Sequence, residues 1–296
     1  MVRTAATLLI LAGLAPQLSA QGLKVHISAD LEGITGVVTD EQLGPGGFEY
    51  ARFREFMTDE VNAAIEGARA AGATEIVVAD SHGNGQNILI ERLPDDVLLV
   101  RSWPRPLAMM EGIDSTFDAA VFIGYHSSTT NTEGVRAHTM SSANLTAVRL
   151  NGVEMPEAGI NAAIAGHFGV PVVAISGDDA IVAEAQGLLG DIEGATVKWA
   201  LGFHSATTMM PRPAQQLIRE KVEAGVRRHG SLRPYRLNGP IELEISFKHY
   251  RQAQVLAYLP FIELKDAHTI RMTAPDMVAV ARFLEFISYY QPGLSP

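Results

Sequence analysis

The chain has no cysteine in 296 residues. That excludes disulfides, thiolate metal sites and cysteine nucleophiles together. Tryptophan is also scarce, with two residues, and bases are fewer than acids, 23 against 33. The formal charge of -10 comes with no Lys/Arg run, so a nucleic-acid partner is excluded as an expectation. No Gly-x-Ser-x-Gly elbow and no Walker phosphate loop occur, which removes two common routes to hydrolysis. Gly83-Asn84-Gly85 lacks the dinucleotide fingerprint. No apolar run is long enough to span a bilayer as a helix.

The longest apolar stretch, Ala5 to Ala15, stands behind Arg3 and ahead of Pro16. Leu18-Ser19-Ala20 offers a cleavage site, so residues 1–20 read as an export signal. Export together with absent cysteine fits a periplasmic protein, without stable membrane insertion once the signal is cleaved. The alternative is an uncleaved anchor. The chain as a whole has ordinary globular composition, 47% hydrophobic and 19% charged. It is long enough for one large domain or two of about 150 residues.

Apolar runs with β-branched content alternate with helical periodicity. Lys24–Ser28, Glu75–Ala79, Val97–Val100, Ala119–Ile123 and Val170–Ser176 read as buried strands. Tyr50–Ala71 carries Phe53, Met57, Val61, Ala64 and Ala68 on one helical face. Glu157–His167 and Asp179–Leu189 read as further helices. This alternation predicts an α/β fold, a mainly parallel sheet with flanking helices. Asn144–Leu150 before Asn151-Gly152 reads as a hairpin. Beyond residue 200 the helix Ala214–Arg228, the connection Arg233–Pro240, the strand Ile241–Phe247 and the helix Pro275–Tyr290 suggest a smaller C-terminal α+β region. The expected division is a catalytic domain over 21–200 and a supporting, oligomerisation region over 201–296.

Polar motifs follow the apolar runs directly: Ser28-Ala29-Asp30-Leu31-Glu32-Gly33, Asp80-Ser81-His82 and Gly124-Tyr125-His126. Glu157 follows the hairpin at a helix head. Ligands of α/β sheets collect at the carboxyl ends of strands, so these segments are expected to converge. Asp30 and Glu32 project to one side of extended chain. Two adjacent carboxylates repel unless a cation, a base or a proton lies between them. With His82, His126 and Glu157 they form a nitrogen-and-oxygen donor set suited to zinc, cobalt or manganese. Asp30 is the candidate bridge between two ions. His138 reads as a ligand, an acid/base or an oxyanion donor. Asp80 reads as a carboxylate orienting a histidine or as a turn cap. Asp178 and Asp179 read as caps of the helix that starts there, with a substrate-facing role at the strand end as the alternative. His26, His167, His204, His229, His249 and His268 lack nearby carboxylate pairs and read as structural or exposed. Met109, Met110, Met209 and Met210 read as packing residues.

In this order, Ser-x-Asp-x-Glu-Gly, Asp-Ser-His, Gly-Tyr-His, His-x-Met and Glu-x-Gly-x-Asn-Ala resemble the zinc-dependent D-aminopeptidase family. The likeness runs from about Lys24 to the C-terminus. It implies a two-zinc centre with Asp30, Glu32, His82, His126 and Glu157 as ligands, Asp30 bridging, and His138 in catalysis. It also implies short peptide substrates with D-residues at the N-terminus, such as D-Ala-D-Ala, and a ring-shaped, decamer-like homo-oligomer. The export signal departs from relatives that act inside the cell. Two rival readings share the pattern: a periplasmic metal- or peptide-binding protein without turnover, and a two-metal phosphoesterase.

Overall fold

The computed structural model describes residues 22–290, so the expected export signal lies outside the described residues. The elements run β1 (Leu23–Ala29), α1 (Tyr50–Ala70), β2 (Ala73–Asp80), β3 (Leu98–Val100), β4 (Ala119–Tyr125), β5 (Leu145–Leu150), β6 (Val153–Glu154) and α2 (Glu157–His167). They continue with β7 (Val172–Asp178), α3 (Asp179–Leu189), β8 (Glu193–Gly202), β9 (Ser205–Thr208), α4 (Pro211–Arg227), β10 (Ile241–Phe247), α5 (Tyr250–Leu256), β11 (Glu263–Leu264), β12 (Thr269–Ala274) and α6 (Met277–Tyr289). Among the described residues, no helix is long and apolar enough to cross a membrane.

One sheet has seven strands in the order β3-β2-β1-β4-β7-β8-β9, all parallel except β9, which folds back on β8. Its central strands β1 and β4 are buried on both faces, as continuous apolar runs in a parallel sheet must be. On one face, Val25 and Ile27 join Val61 and Ile65 of α1 and Ile218 and Val222 of α4 in a core. On the other, Phe122 and Ile175 pack in a second core with Ile160 and Ile164 of α2 and Leu243 and Ile245 of β10.

The second sheet is antiparallel, in the order β11-β12-β10-β5-β6. The Asn151-Gly152 turn joins β5 to β6 with φ of 50° and 78°, the primed geometry that matches strand twist. This hairpin pairs with β10, so the second sheet draws on chain from both sides of residue 200. Conversely, β8, β9 and α4 extend the parallel layer past residue 200. The expected sequence division therefore does not coincide with the division between sheets. Strands β8, β9, β11 and β12 and helix α5 have no counterpart among the sequence expectations. The closing helix starts at Met277, later than expected, because Asp276 supplies the N-cap through the Ala279 amide.

Candidate metal centre

The carboxyl ends of β1, β2 and β4 lie side by side, because β4 and β2 flank β1 in the sheet. Two glycines permit the loop after β1 to lie against the end of β4. A Cβ on Gly33 would sit 2.0 Å from the Tyr125 carbonyl, and one on Gly124 (φ 71°) 2.2 Å from the Asp30 carbonyl. The Asp30 amide donates to the Ile123 carbonyl and Gly33 to Gly124, so the loop continues the ladder.

All six sequence-derived candidates meet at this edge. Among the described residues, Asp30, Glu32 and His82 form one group of convergent ligand atoms, and His126, His138 and Glu157 a second. His82 Nδ1 lies 2.8 Å from Glu32 Oε2 and 3.2 Å from Asp30 Oδ1. His126 Nε2 lies 3.3 Å from Asp30 Oδ2 and 3.4 Å from Glu157 Oε1. Asp30 thus faces both groups with its two oxygens. His138 stacks on His126, rings 3.9 Å apart at 6°, with Nε2 3.9 Å from Glu157 Oε1.

Backbone partners set the tautomers. His82 Nε2–H donates to the Leu43 carbonyl at 2.7 Å, leaving Nδ1 for the carboxylates. His126 Nδ1 faces the Ser127 carbonyl at 3.2 Å and His138 Nδ1 the Arg136 carbonyl at 2.8 Å. Both therefore present Nε2 to the site. Such outer bonds orient metal-binding imidazoles. The Met140 amide in turn donates to Glu157 Oε1 at 2.7 Å.

Burial opposes charge throughout the cluster. It pulls the His82 and His126 imidazoles down, but the carboxylates outweigh it and hold both well above their usual range. Burial and the Glu32 charge push Asp30 up to about 6. Burial also raises Glu32, yet His82 prevails and holds it well below the ordinary value. His138 is lowered by burial and by the cationic His126 beside it.

A divalent cation fits this donor set. Two imidazole nitrogens and three carboxylates converge, and the buried Asp30 Oδ2 has only His126 Nε2 near it, at 3.3 Å and without hydrogen-bond geometry. A buried carboxylate oxygen without a donor is costly unless a cation faces it.

The cleft over the cluster has a volume of about 100 Å³. Trp103, Met109, Met140, Glu285, Ser288 and Tyr289 complete its wall. Sequence reasoning missed the α6 contribution, because Glu285 reads as the polar face of an amphipathic helix. A larger groove of about 700 Å³ between α1 and α4 holds ion-paired surface groups and no convergent ligand set. Asp80 is not behind a histidine: it accepts from the Asn87 and Ile88 amides and the Asn87 side chain, and so caps the 81–88 loop. Asp178 caps α3 through the Ile181 amide and also accepts from Val135. His204 reaches the site's periphery through Arg136, 2.8 Å from its guanidinium.

Lys198 was also missed. Fully buried on β8, its ammonium donates to the carbonyls of Glu32 at 2.5 Å, Ile34 at 3.2 Å and Val37 at 2.7 Å. It ties down the loop that carries Asp30 and Glu32.

A model of the M55 peptidases, described as D-aminopeptidases, matches residues 23–286. The D-aminopeptidase of Bacillus subtilis strain 168 is 33% identical over 260 residues, covering 86% of this chain and 93% of that protein. The solved structure of the zinc-dependent D-aminopeptidase DppA from Bacillus subtilis, described as a self-compartmentalizing protease, has a TM-score of 0.85 at 30% identity. It covers 91% of this chain and 100% of that one. The fold is therefore that of DppA, and the chain belongs to the D-aminopeptidase family of peptidases.

Proposed function

We propose that the protein is a zinc-dependent aminopeptidase that removes N-terminal residues from short peptides, with D-residues such as those of D-Ala-D-Ala preferred. The observation that carries this reading is Asp30, whose two oxygens face the His82 side and the His126–Glu157 side of one cleft. Asp30, Glu32, His82, His126 and Glu157 would hold two zinc ions, with Asp30 shared. Zinc, when bound, supplies Lewis acidity toward a peptide carbonyl and acidifies water. The protein's own groups provide the rest. His138 keeps its Nδ1 proton on the Arg136 carbonyl, which leaves the Nε2 lone pair facing the cleft. That atom takes a proton during attack and returns it to the leaving amine. Trp103 and Tyr289, stacked at 5.6 Å, restrict access to a small peptide end.

No Lys or Arg lines the cleft among the described residues, which argues against the phosphoesterase reading. The self-compartmentalizing relative supports a homo-oligomer. So do Trp199, Leu201 and Phe203, which are exposed near the tip of the β8–β9 hairpin. Residues 1–20 support export, with wall-derived D-alanyl peptides as the accessible substrates.

The test is alanine release by zinc-loaded protein from D-Ala-D-Ala and L-Ala-L-Ala. Release from the D-peptide alone, abolished by a chelator and restored by zinc, is expected. His126→Ala and Glu157→Ala should each lower zinc content and cut turnover by about three orders of magnitude or more. Unchanged zinc and turnover in both variants would overturn the ligand assignment. Zinc binding without release of either product would favour a binding protein.

A further inference from the structure

We propose that Glu285 binds the free α-ammonium of the substrate and so confines cleavage to the N-terminal bond. The inference rests on the peptidase reading and adds the residue that makes it an aminopeptidase.

Five carboxylate or imidazole ligand candidates are already engaged with one another, as the previous distances show. Glu285 is the carboxylate of the cleft wall that belongs to neither ligand group. It is 5% exposed. Its Oε2 accepts the Arg105 backbone amide at 3.0 Å, which fixes the side chain. Its Oε1 is buried and accepts nothing. The Arg105 guanidinium does not close this gap: it donates to the Asp80 carbonyl at 2.8 Å and stacks on Trp103 at 3.6 Å.

A buried carboxylate oxygen with no donor is an expensive feature to keep. A ligand that brings positive charge and N–H donors into the cleft removes that cost. A primary ammonium does both, and the α-ammonium of a peptide lies within a few bonds of the scissile carbonyl. Burial also pushes Glu285 up to about 6, against the pull of Arg105, and an incoming cation would favour its ionised form. Trp103, Met109, Met140 and Tyr289 line the same space of about 100 Å³, which suits a small side chain beside the ammonium.

The test compares D-alaninamide with D-lactamide, in which a hydroxyl replaces the ammonium. Calorimetric titration of the zinc-loaded protein reads binding without requiring turnover. The wild type should bind D-alaninamide about 10–100-fold more tightly than D-lactamide. Glu285→Gln keeps an acceptor for the Arg105 amide but removes the charge. It should lose that preference and raise KM for D-Ala-D-Ala by a similar factor, with kcat changed less and zinc content unchanged. Glu285→Asp, which retains the charge, should restore part of the preference and remains informative if the glutamine variant folds poorly. A preference that survives intact in Glu285→Gln and Glu285→Asp would overturn the proposal and assign the ammonium to another group. Wild-type protein that discriminates the two amides yet cleaves neither dipeptide would sink the peptidase reading while leaving the ammonium site standing.

Discussion

Strands β1, β2 and β4 of the parallel sheet end in buried carboxylates and imidazoles that converge on one cleft, whereas the ionisable groups of the antiparallel sheet pair with one another away from it. Lys198 on β8 and Lys265 beside β11 make the contrast concrete. Lys198 is fully buried and donates to three backbone carbonyls. Lys265 is 45% exposed and pairs with Glu244 of β10. The parallel layer spends its charges on holding loops at the metal centre. The antiparallel layer delivers Glu157 through the β5–β6 hairpin and pairs its own charges with one another, Lys265 reaching the buried Glu244. A charge teaches something about function here only when burial leaves it no solvent alternative.

The sharpest test of that contrast is to remove both lysines. Lys198→Met strands three carbonyls and frees the 32–37 loop. Unfolding free energy should fall by about 3 kcal/mol, since each unsatisfied buried acceptor costs roughly 1–3 kcal/mol. Zinc affinity should drop about 10–100-fold, the usual effect of losing a group that supports metal ligands. Lys265→Met leaves the buried Glu244 carboxylate without its cation, so stability should fall by about 1–3 kcal/mol, while zinc affinity should stay unchanged. Chelator competition and denaturant unfolding measure both. Equal effects on zinc affinity at the two positions would erase the distinction between the layers.

Histidine burial gives a second, smaller contrast. His26 in β1 is held down to about 4, chiefly by burial, with the Arg105 charge adding and the Glu111 carbonyl opposing. Its Nε2–H donates to Glu111, so Nδ1 stays an unprotonated, unpartnered atom. In the unfolded chain it titrates near about 6.5. Between pH 6.5 and 4 the unfolded state binds more protons, so this contribution is complete above 6.5 and lost as pH falls toward 4. The loss amounts to about 3 kcal/mol. Glu60, pushed up to about 7 by burial, acts in the opposite direction over an overlapping window. Both chains share Glu60, so the difference between wild type and His26→Leu isolates His26. The variant should show a shallower acid limb in denaturant unfolding, with His268→Leu on the antiparallel side as the control. Parallel acid limbs for wild type and His26→Leu would refute the assignment.

Asp30, Glu32, His82 and His126 were legible because polar residues directly after apolar strands stand out against their neighbours, whereas Glu157 stood out at a helix head and His138 only by its place between the motifs. Their convergence needed only the rule that parallel strands share a carboxyl edge. Lys198 was not legible. A lone lysine on an alternating strand reads as solvent-facing, and its acceptors lie on a loop distant in sequence. Glu285 was hidden for the same reason, since the amphipathic pattern of α6 assigns it to the polar face. The hairpin at 151–152 was visible in its turn chemistry and β10 in its alternation, yet their pairing was not, because pairing across that separation leaves no local trace. Asp80 shows the reverse case. Its proximity to His82 in sequence suggested a partnership, whereas its carboxylate is consumed by the Asn87 and Ile88 amides.

The smallest effect separates two helix caps with the same chemistry. Asp178 caps α3 through the Ile181 amide at 2.9 Å and also receives the Val135 amide at 2.7 Å. Asp276 caps α6 through the Ala279 amide at 2.9 Å. Each Asp→Ala change should cost about 1 kcal/mol for the lost cap. Asp178→Ala should cost about 1 kcal/mol more, because the Val135 amide is left buried without an acceptor. Val135 begins the segment that carries Arg136 and His138, so the same variant should lower kcat while zinc content and KM stay close to wild type. Asp276→Ala should lower stability alone. If both variants lost only stability, the segment around His138 would be held in place by Arg136 and its contacts to Asp40 and Phe203, independent of α3.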